Sequence, residues 1–232
     1  MGDNLFTLWP FLMVLIGLFL TVSLFRKPKW RDAHWWVWLS LAATILHNFE
    51  ETGFDILGRR FHIHAFVCAR LGLYRAEIAL CPADAPFFFL VNLAHTWLLT
   101  TMAITTGPRQ PLGAAIAVAI PLIDAVSHVF FAATSLSYNP GLVTAILVTG
   151  PVGLGFFRTC RERGWLPDQQ QSVALACGAL VLVSFWFGLA LAAAGRVSKP
   201  ALWWGEMAKG FLPLLALLFR RIPLVKMYSM TE

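Results

Sequence analysis

The sequence predicts an all-α fold, a polytopic bundle of about seven transmembrane helices with the N-terminus outside. Three observations predict it. Hydrophobic residues make up 58% of the 232 and charged residues only 13%, against about 25% charged in an ordinary soluble domain. Seven successive runs have the roughly 20 mostly apolar residues that a bilayer crossing needs. The basic residues collect in the connections between those runs.

The first run, 4–25, has neither a basic leader nor a small-residue cleavage site, so it reads as a span and not as a cleaved signal peptide. The second, 34–53, opens on Trp35, Trp36 and Trp38, the aromatic residues favoured at a membrane interface. The runs 87–106, 112–134, 141–158 and 172–194 follow. Within the fifth, Gly150-Pro151-Val152-Gly153-Leu154-Gly155 reads as a break or close-packing point rather than a phosphate cradle. The seventh, 201–219, is interrupted by Glu206, Lys209 and Pro213. No internal repeat is visible, and 1–232 reads as one membrane domain.

Orientation follows Lys and Arg. Arg26, Lys27, Lys29, Arg31, Arg109, Arg158, Arg161, Arg163, Arg220, Arg221 and Lys226 fall on one side, eleven in all, which reads as cytoplasmic. Arg59, Arg60, Arg70, Arg75, Arg196 and Lys199, six in all, fall on the other. This asymmetry accounts for the net charge of +6 without a nucleic-acid partner, for which no motif is present. The expected location is a bacterial inner membrane.

The connection 54–86 is long for such a bundle, and long ordered loops are often lids or binding elements. Its Phe61-to-Leu80 stretch has the mixed apolar and basic character of short interfacial helices. His62 and His64 have the spacing of neighbours on one strand and, with His34, read as interfacial. Cys68 and Cys81 read as two free buried thiols, with pairing as the alternative in an oxidising compartment. Cys160 and Cys177 lack metal-ligand spacing and read as packing residues.

The stretch Leu46-His47-Asn48-Phe49-Glu50-Glu51 ends the second span, where ionisable groups are costly. With a helical rise of 1.5 Å, His47 lies roughly 9 Å below the outer end of its span, Asn92 and His95 roughly 8 and 12 Å, and His128 roughly 9 Å. Four residues on three spans thus reach one depth. His47, Glu50 and Glu51 share a helix face, as do Asn92 with His95 and Asp124 with His128. Imidazoles and carboxylates converging there suit zinc or iron. Glu206 and Lys209 read as an ion pair within their helix, the alternative being that Glu206 joins the site.

These residues also carry a resemblance. His47-Asn48-Phe49-Glu50-Glu51 resembles the motif that names the HXXEE-domain family of multi-span membrane proteins. Asn92-Leu93-Ala94-His95 resembles that family's second motif, His128 its separate histidine, and Tyr138-Asn139-Pro140-Gly141 the segment that follows. The resemblance runs from about residue 40 to about 155. It implies an enzyme with an active site built from these residues and assigns no reaction.

The leading expectation is a metal-dependent membrane enzyme acting on a lipid or another apolar molecule. His47, Glu51, His95 and His128 bind the zinc or iron, Glu50 is the general base or a bridging ligand, and Asn92 orients a ligand or the substrate. Trp97, deep beside His95, lines an apolar substrate pocket. The alternative enzyme is a metal-free acid–base isomerase or cyclase of a sterol-like or isoprenoid substrate, with a buried Glu as acid and Trp97 stabilising a cation. A small proton-coupled transporter is the third reading, opposed by the missing repeat and the small size.

Overall fold

A computed structural model of the chain describes residues 5–26, 33–74, 79–106 and 111–219. Lys27, Lys29, Trp30, Arg31, Arg75, Arg109, Arg220, Arg221 and Lys226 lie outside the described residues, as does the side chain of His34. Among the described residues the fold is helical, with no strand beyond one isolated bridge between Phe54 and Arg60.

The helices are α1 (Leu5–Arg26), α2 (Ala33–Thr52), α3 (His62–Arg70), α4 (Ala85–Thr105), α5 (Pro111–Ser135), α6 (Leu142–Arg163), α7 (Asp168–Ala193), α8 (Lys199–Lys209) and α9 (Leu215–Phe219). Five of them, α1, α4, α5, α6 and α7, are long and apolar enough to cross a membrane. The 20 residues of α2 span about 30 Å, but its last turns carry His47, Asn48, Glu50 and Glu51. The 201–219 run is not one helix. It breaks after Lys209, passes through a 3₁₀ turn at Leu212–Leu214 that holds Pro213, and resumes as α9. The 11 residues of α8 rise only about 16 Å, too short for a hydrocarbon core of about 30 Å.

α5 is the hub. Its first half, Gly113-Ala114-Ala115-Ile116-Ala117-Val118-Ala119, is buried throughout and made mostly of small residues, which let neighbouring backbones approach. It packs most extensively against α7 and also against α6, α2 and α4. Gly178 of α7 marks a close approach, because a Cβ there would lie 2.9 Å from the carbonyl oxygen of Ala119. Burial covers 61% of the apolar window in α5 but only 17% in α1 and 22% in α6 and α7. The outer helices therefore turn apolar surface outward, the arrangement of a bundle solvated by lipid. Pro121 sits inside α5 without ending it.

The 54–84 connection is ordered over its described part. The Asp55 carboxylate accepts from the backbone N–H groups of Leu57 and Arg59 and from the Arg59 guanidinium. His62 and His64 stand in the first turn of α3, not on a strand, and His64 stacks on Phe61. Cys68 and Cys81 form a disulfide, which corrects the expectation of two free thiols. The cause is placement. Cys68 near the end of α3 and Cys81 just before α4 fall in one buried apolar cluster with Val67, Ala83 and Phe87. Cys160 and Cys177 are free, as expected.

Candidate metal centre

α2 and α5 cross where each carries an i, i+4 pair of ionisable residues, His47 with Glu51 and Asp124 with His128. One ligand atom from each of the four lies within 4.8 Å of every other. His47 Nε2 is 3.1 Å from Asp124 Oδ2 and 3.8 Å from Glu51 Oε1. His128 Nε2 is 3.2 Å from Glu51 Oε1 and 3.7 Å from Asp124 Oδ2. Ligands about 2.0–2.1 Å from a tetrahedral ion are separated by about 3.3 Å, which these four distances bracket.

The rings are fixed from behind. His128 Nδ1 lies 2.6 Å from Asn139 Oδ1, while Asn139 Nδ2 donates to the His128 carbonyl. That second bond sets the amide orientation, so His128 Nδ1–H is the donor and Nε2 is the ring atom left facing the carboxylates. His47 Nδ1 lies 2.9 Å from Thr144 Oγ1, and Thr144 in turn donates to Glu50 Oε2 at 2.6 Å. The same logic makes His47 Nδ1–H a donor and leaves its Nε2 facing the carboxylates. Such outer partners orient the imidazoles of metal sites and raise their basicity. Gly141 closes the floor. Its φ of 92° suits glycine, and a Cβ would meet both imidazole Cε1 atoms at 2.7 Å.

Glu50 departs from its expected role as base or bridging ligand. Neighbours on a helix differ by about 100°, so Glu50 turns away from Glu51 toward α6. Its carboxylate accepts from the N–H groups of Val143 and Thr144, from Thr144 Oγ1 and from the Tyr138 hydroxyl. It thereby satisfies the free amides that open α6. Asn48 takes a third direction and donates to Thr96 on α4.

His95 also departs from its expected place among the ligands. It lies on a π-helical turn, Leu93–Leu98, that shifts the face of α4. Its Nε2 is 3.4 Å from Glu206 Oε2, and Glu206 Oε1 receives Lys209 Nζ at 2.6 Å. The expected Glu206–Lys209 ion pair is present, and Glu206 reaches His95 instead of the four-residue cluster. Asp124 occupies the fourth position of the cluster. Its i, i+4 spacing to His128 repeats that of His47 to Glu51, and this was the signal available in the sequence.

A cavity of about 110 Å³ adjoins the cluster, lined by Glu51, Asp124, His128, His95 and Asn92 at its polar end. Phe66 of α3, Phe88, Phe131, Phe185 and Trp186 line the rest. Asn92 donates to the Phe88 carbonyl within its own helix. Trp97 does not line this cavity; it lies on another face of α4, in an apolar groove with Trp9 and Met13.

A family model described as "Protein of unknown function with HXXEE motif" matches residues 38–156. The chain belongs to the HXXEE family. No curated protein and no solved structure matches it. The HXXEE match ends inside α6, so the motif, His95, Asp124, His128, Asn139, Gly141 and Thr144 all lie within it, whereas Glu206 and Lys209 lie outside. In this HXXEE chain Thr144 was missed by sequence reasoning, and Asn139 and Gly141 entered it only within the segment that resembles the family, with no role assigned. Polar and glycine residues beside a proline otherwise read as a turn, and only the fold sets them beneath the two imidazoles.

Proposed function

We propose that the protein is an integral membrane enzyme in which His47, Glu51, Asp124 and His128 hold a divalent ion of the zinc or iron class. The observation that carries the reading is the pair of imidazoles whose Nδ1 atoms are held by Asn139 and Thr144 while both Nε2 atoms aim at two carboxylates. With both imidazoles neutral and ligating through Nε2, the two carboxylates give the cluster two negative charges for a divalent cation to balance. Two nitrogens and two oxygens suit zinc or iron.

Access supports an enzyme over a closed structural site. The Asp124 side chain is 38% exposed while the others are nearly buried, and the cluster borders a cavity. The aromatic wall of that cavity suits the end of an apolar substrate, such as a lipid, that carries its reacting group. An ion bound there supplies Lewis acidity toward a carbonyl or phosphoryl group and toward water. The chain's own part is to orient the imidazoles from Asn139 and Thr144, to exclude bulk water with Phe66, Phe131 and Trp186, and to accept a proton at Asp124. Glu50 acts through Thr144 as a positioning residue.

The proposal includes a seven-span topology with the N-terminus outside, in a bacterial inner membrane, the broken 201–219 run crossing as α8, the 3₁₀ turn and α9 together. The Cys68–Cys81 disulfide supports it, because disulfides persist in oxidising compartments and this one lies in the connection assigned to the outer side.

Elemental analysis of protein purified without chelators tests the metal. Wild type should hold about one zinc or iron per chain. If none binds even after reconstitution, the metal-free acid–base reading replaces it. The 3.1 and 3.2 Å contacts fit that reading too, as hydrogen bonds from two imidazolium groups.

A further inference from the structure

The cavity beside the cluster, about 110 Å³, is small for an apolar substrate, since ligand pockets usually run to about 300–1,000 Å³. A second space of about 340 Å³ lies between α1, α2 and α4. Met13, Ile16, Ile45, Phe89 and Trp97 line it, and its polar residues are Asn48, Asn92 and Thr96. Those same three also line the cavity at the cluster. The two spaces therefore share one wall. That wall includes the hydrogen bond from Asn48 Nδ2 to Thr96 Oγ1, and Thr96 sits on the π-helical turn of α4. π-Turns concentrate at functional sites.

We infer that the groove seats the hydrocarbon chain of the substrate, a membrane amphiphile whose polar group reaches the four-residue cluster past Asn48 and Thr96. The inference rests on the proposed metal enzyme and names its substrate class. The chemistry of the two chambers carries it. One is apolar along α1 and α4 and has the volume for a chain; the other ends in ligands and has the volume for a head group. The three shared polar residues stand where chain and head group meet. Leu93, which lines the groove, is exposed, and Leu12, Leu15 and Phe19 are exposed on the adjoining flank of α1, so a chain enters from lipid without crossing water.

The test uses a palmitate analogue carrying a diazirine near the chain end, added to the full chain in nanodiscs, with adducts mapped by mass spectrometry. Leu15 and Phe19 report ordinary lipid contact. Labelling at Met13, Ile16 and Trp97 should exceed labelling at Leu15 and Phe19 by about tenfold and fall on addition of excess palmitate. Ile16→Trp, which fills the groove, should remove the excess. Equal labelling of both faces, or labelling that excess palmitate does not reduce, would overturn the inference, as would cross-links joining two chains through α1. Metal content is read on the same preparation. Groove labelling without metal in the wild type would sink the metal reading and keep the chain site. Metal without groove labelling would do the reverse. His47→Ala should lose metal and keep the labelling.

Discussion

Two groups of buried ionisable side chains border the same cavity and balance charge differently. Glu206 and Lys209 form a pair at 2.6 Å, with His95 beside them at 3.4 Å; a carboxylate and an ammonium make that group neutral without help. His47, Glu51, Asp124 and His128 include two carboxylates and no ammonium. Their rings are held from behind by Asn139 and Thr144, whereas neither His95 Nε2 nor Glu206 Oε2 makes a hydrogen bond among the described residues. The comparison separates a carboxylate–ammonium pair that neutralises itself within one helix from a cluster in which two carboxylates face two imidazoles. Histidine next to glutamate is common to both, so composition alone does not tell them apart.

The largest expected effect lies at the four-residue cluster. Asp124→Asn and His128→Ala should each weaken metal binding by more than about 100-fold, beyond the range of changes to outer partners. Lys209→Met should leave metal content at the wild-type value. Titration with zinc against a competing chelator measures both. Loss of metal in Lys209→Met with retention in Asp124→Asn would reverse the assignment of the two groups.

Stability should show the opposite ranking. Lys209→Met strands Glu206, which is 2% exposed, without its cation, and breaking a buried pair by removing one partner costs about 3–5 kcal/mol. The double change Glu206→Gln with Lys209→Met should recover much of that loss in denaturant unfolding. A single variant as stable as wild type would mean that the pair contributes nothing, and the self-neutralising account of this group would fall.

How far the sequence revealed these groups depended on whether partners were local. The helical class was legible because bilayer length and hydropathy are properties of single segments. The i, i+4 pairs on α2 and α5 were legible for the same reason. His95 was misplaced because its depth agreed with the other histidines while the π-turn at Leu93–Leu98 moved its direction. Glu50 was misplaced because a motif gives spacing along one helix and not the partner of each face; its partners begin 88 residues away at Tyr138. The disulfide needed α3 folded back against the start of α4.

Outer partners offer a finer test. Asn139→Ala removes the acceptor of His128 Nδ1–H and the donor to the His128 carbonyl, while the four ligands stay. Metal affinity should fall by about 10–100-fold, the usual range for such partners. Thr144→Val should act in the same direction through His47. Thr105→Val, which removes a hydroxyl bond within the last turn of α4, should leave affinity unchanged. An unchanged affinity in Asn139→Ala would mean that the ring needs no holding and that the four-residue cluster is no more preorganised than the His95 group.

The smallest effect comes from a carboxylate–cation pair outside the membrane spans, which serves as the solvent-side counterpart of Glu206 and Lys209. Asp55 is fully covered, and burial alone would raise its pKa, but the N–H groups of Arg59 and Leu57 and the Arg59 guanidinium hold it below the usual carboxylate value. A carboxyl group whose folded pKa is lowered stabilises the fold above its unfolded value, about 3.9, and loses that contribution as pH falls through the folded value. The Arg59 side chain is 39% exposed, so solvent screens the pair, and Asp55→Asn should cost only about 1 kcal/mol at neutral pH. The cost should shrink below about pH 4, where the carboxyl of the unfolded wild-type chain takes up a proton, and go as the pH falls through the lower folded value. Thermal unfolding of both proteins from pH 7 to pH 3 reads the difference. A gap that stays constant to pH 3 would show that shape and hydrogen bonding hold the loop, and that charge at this pair does not.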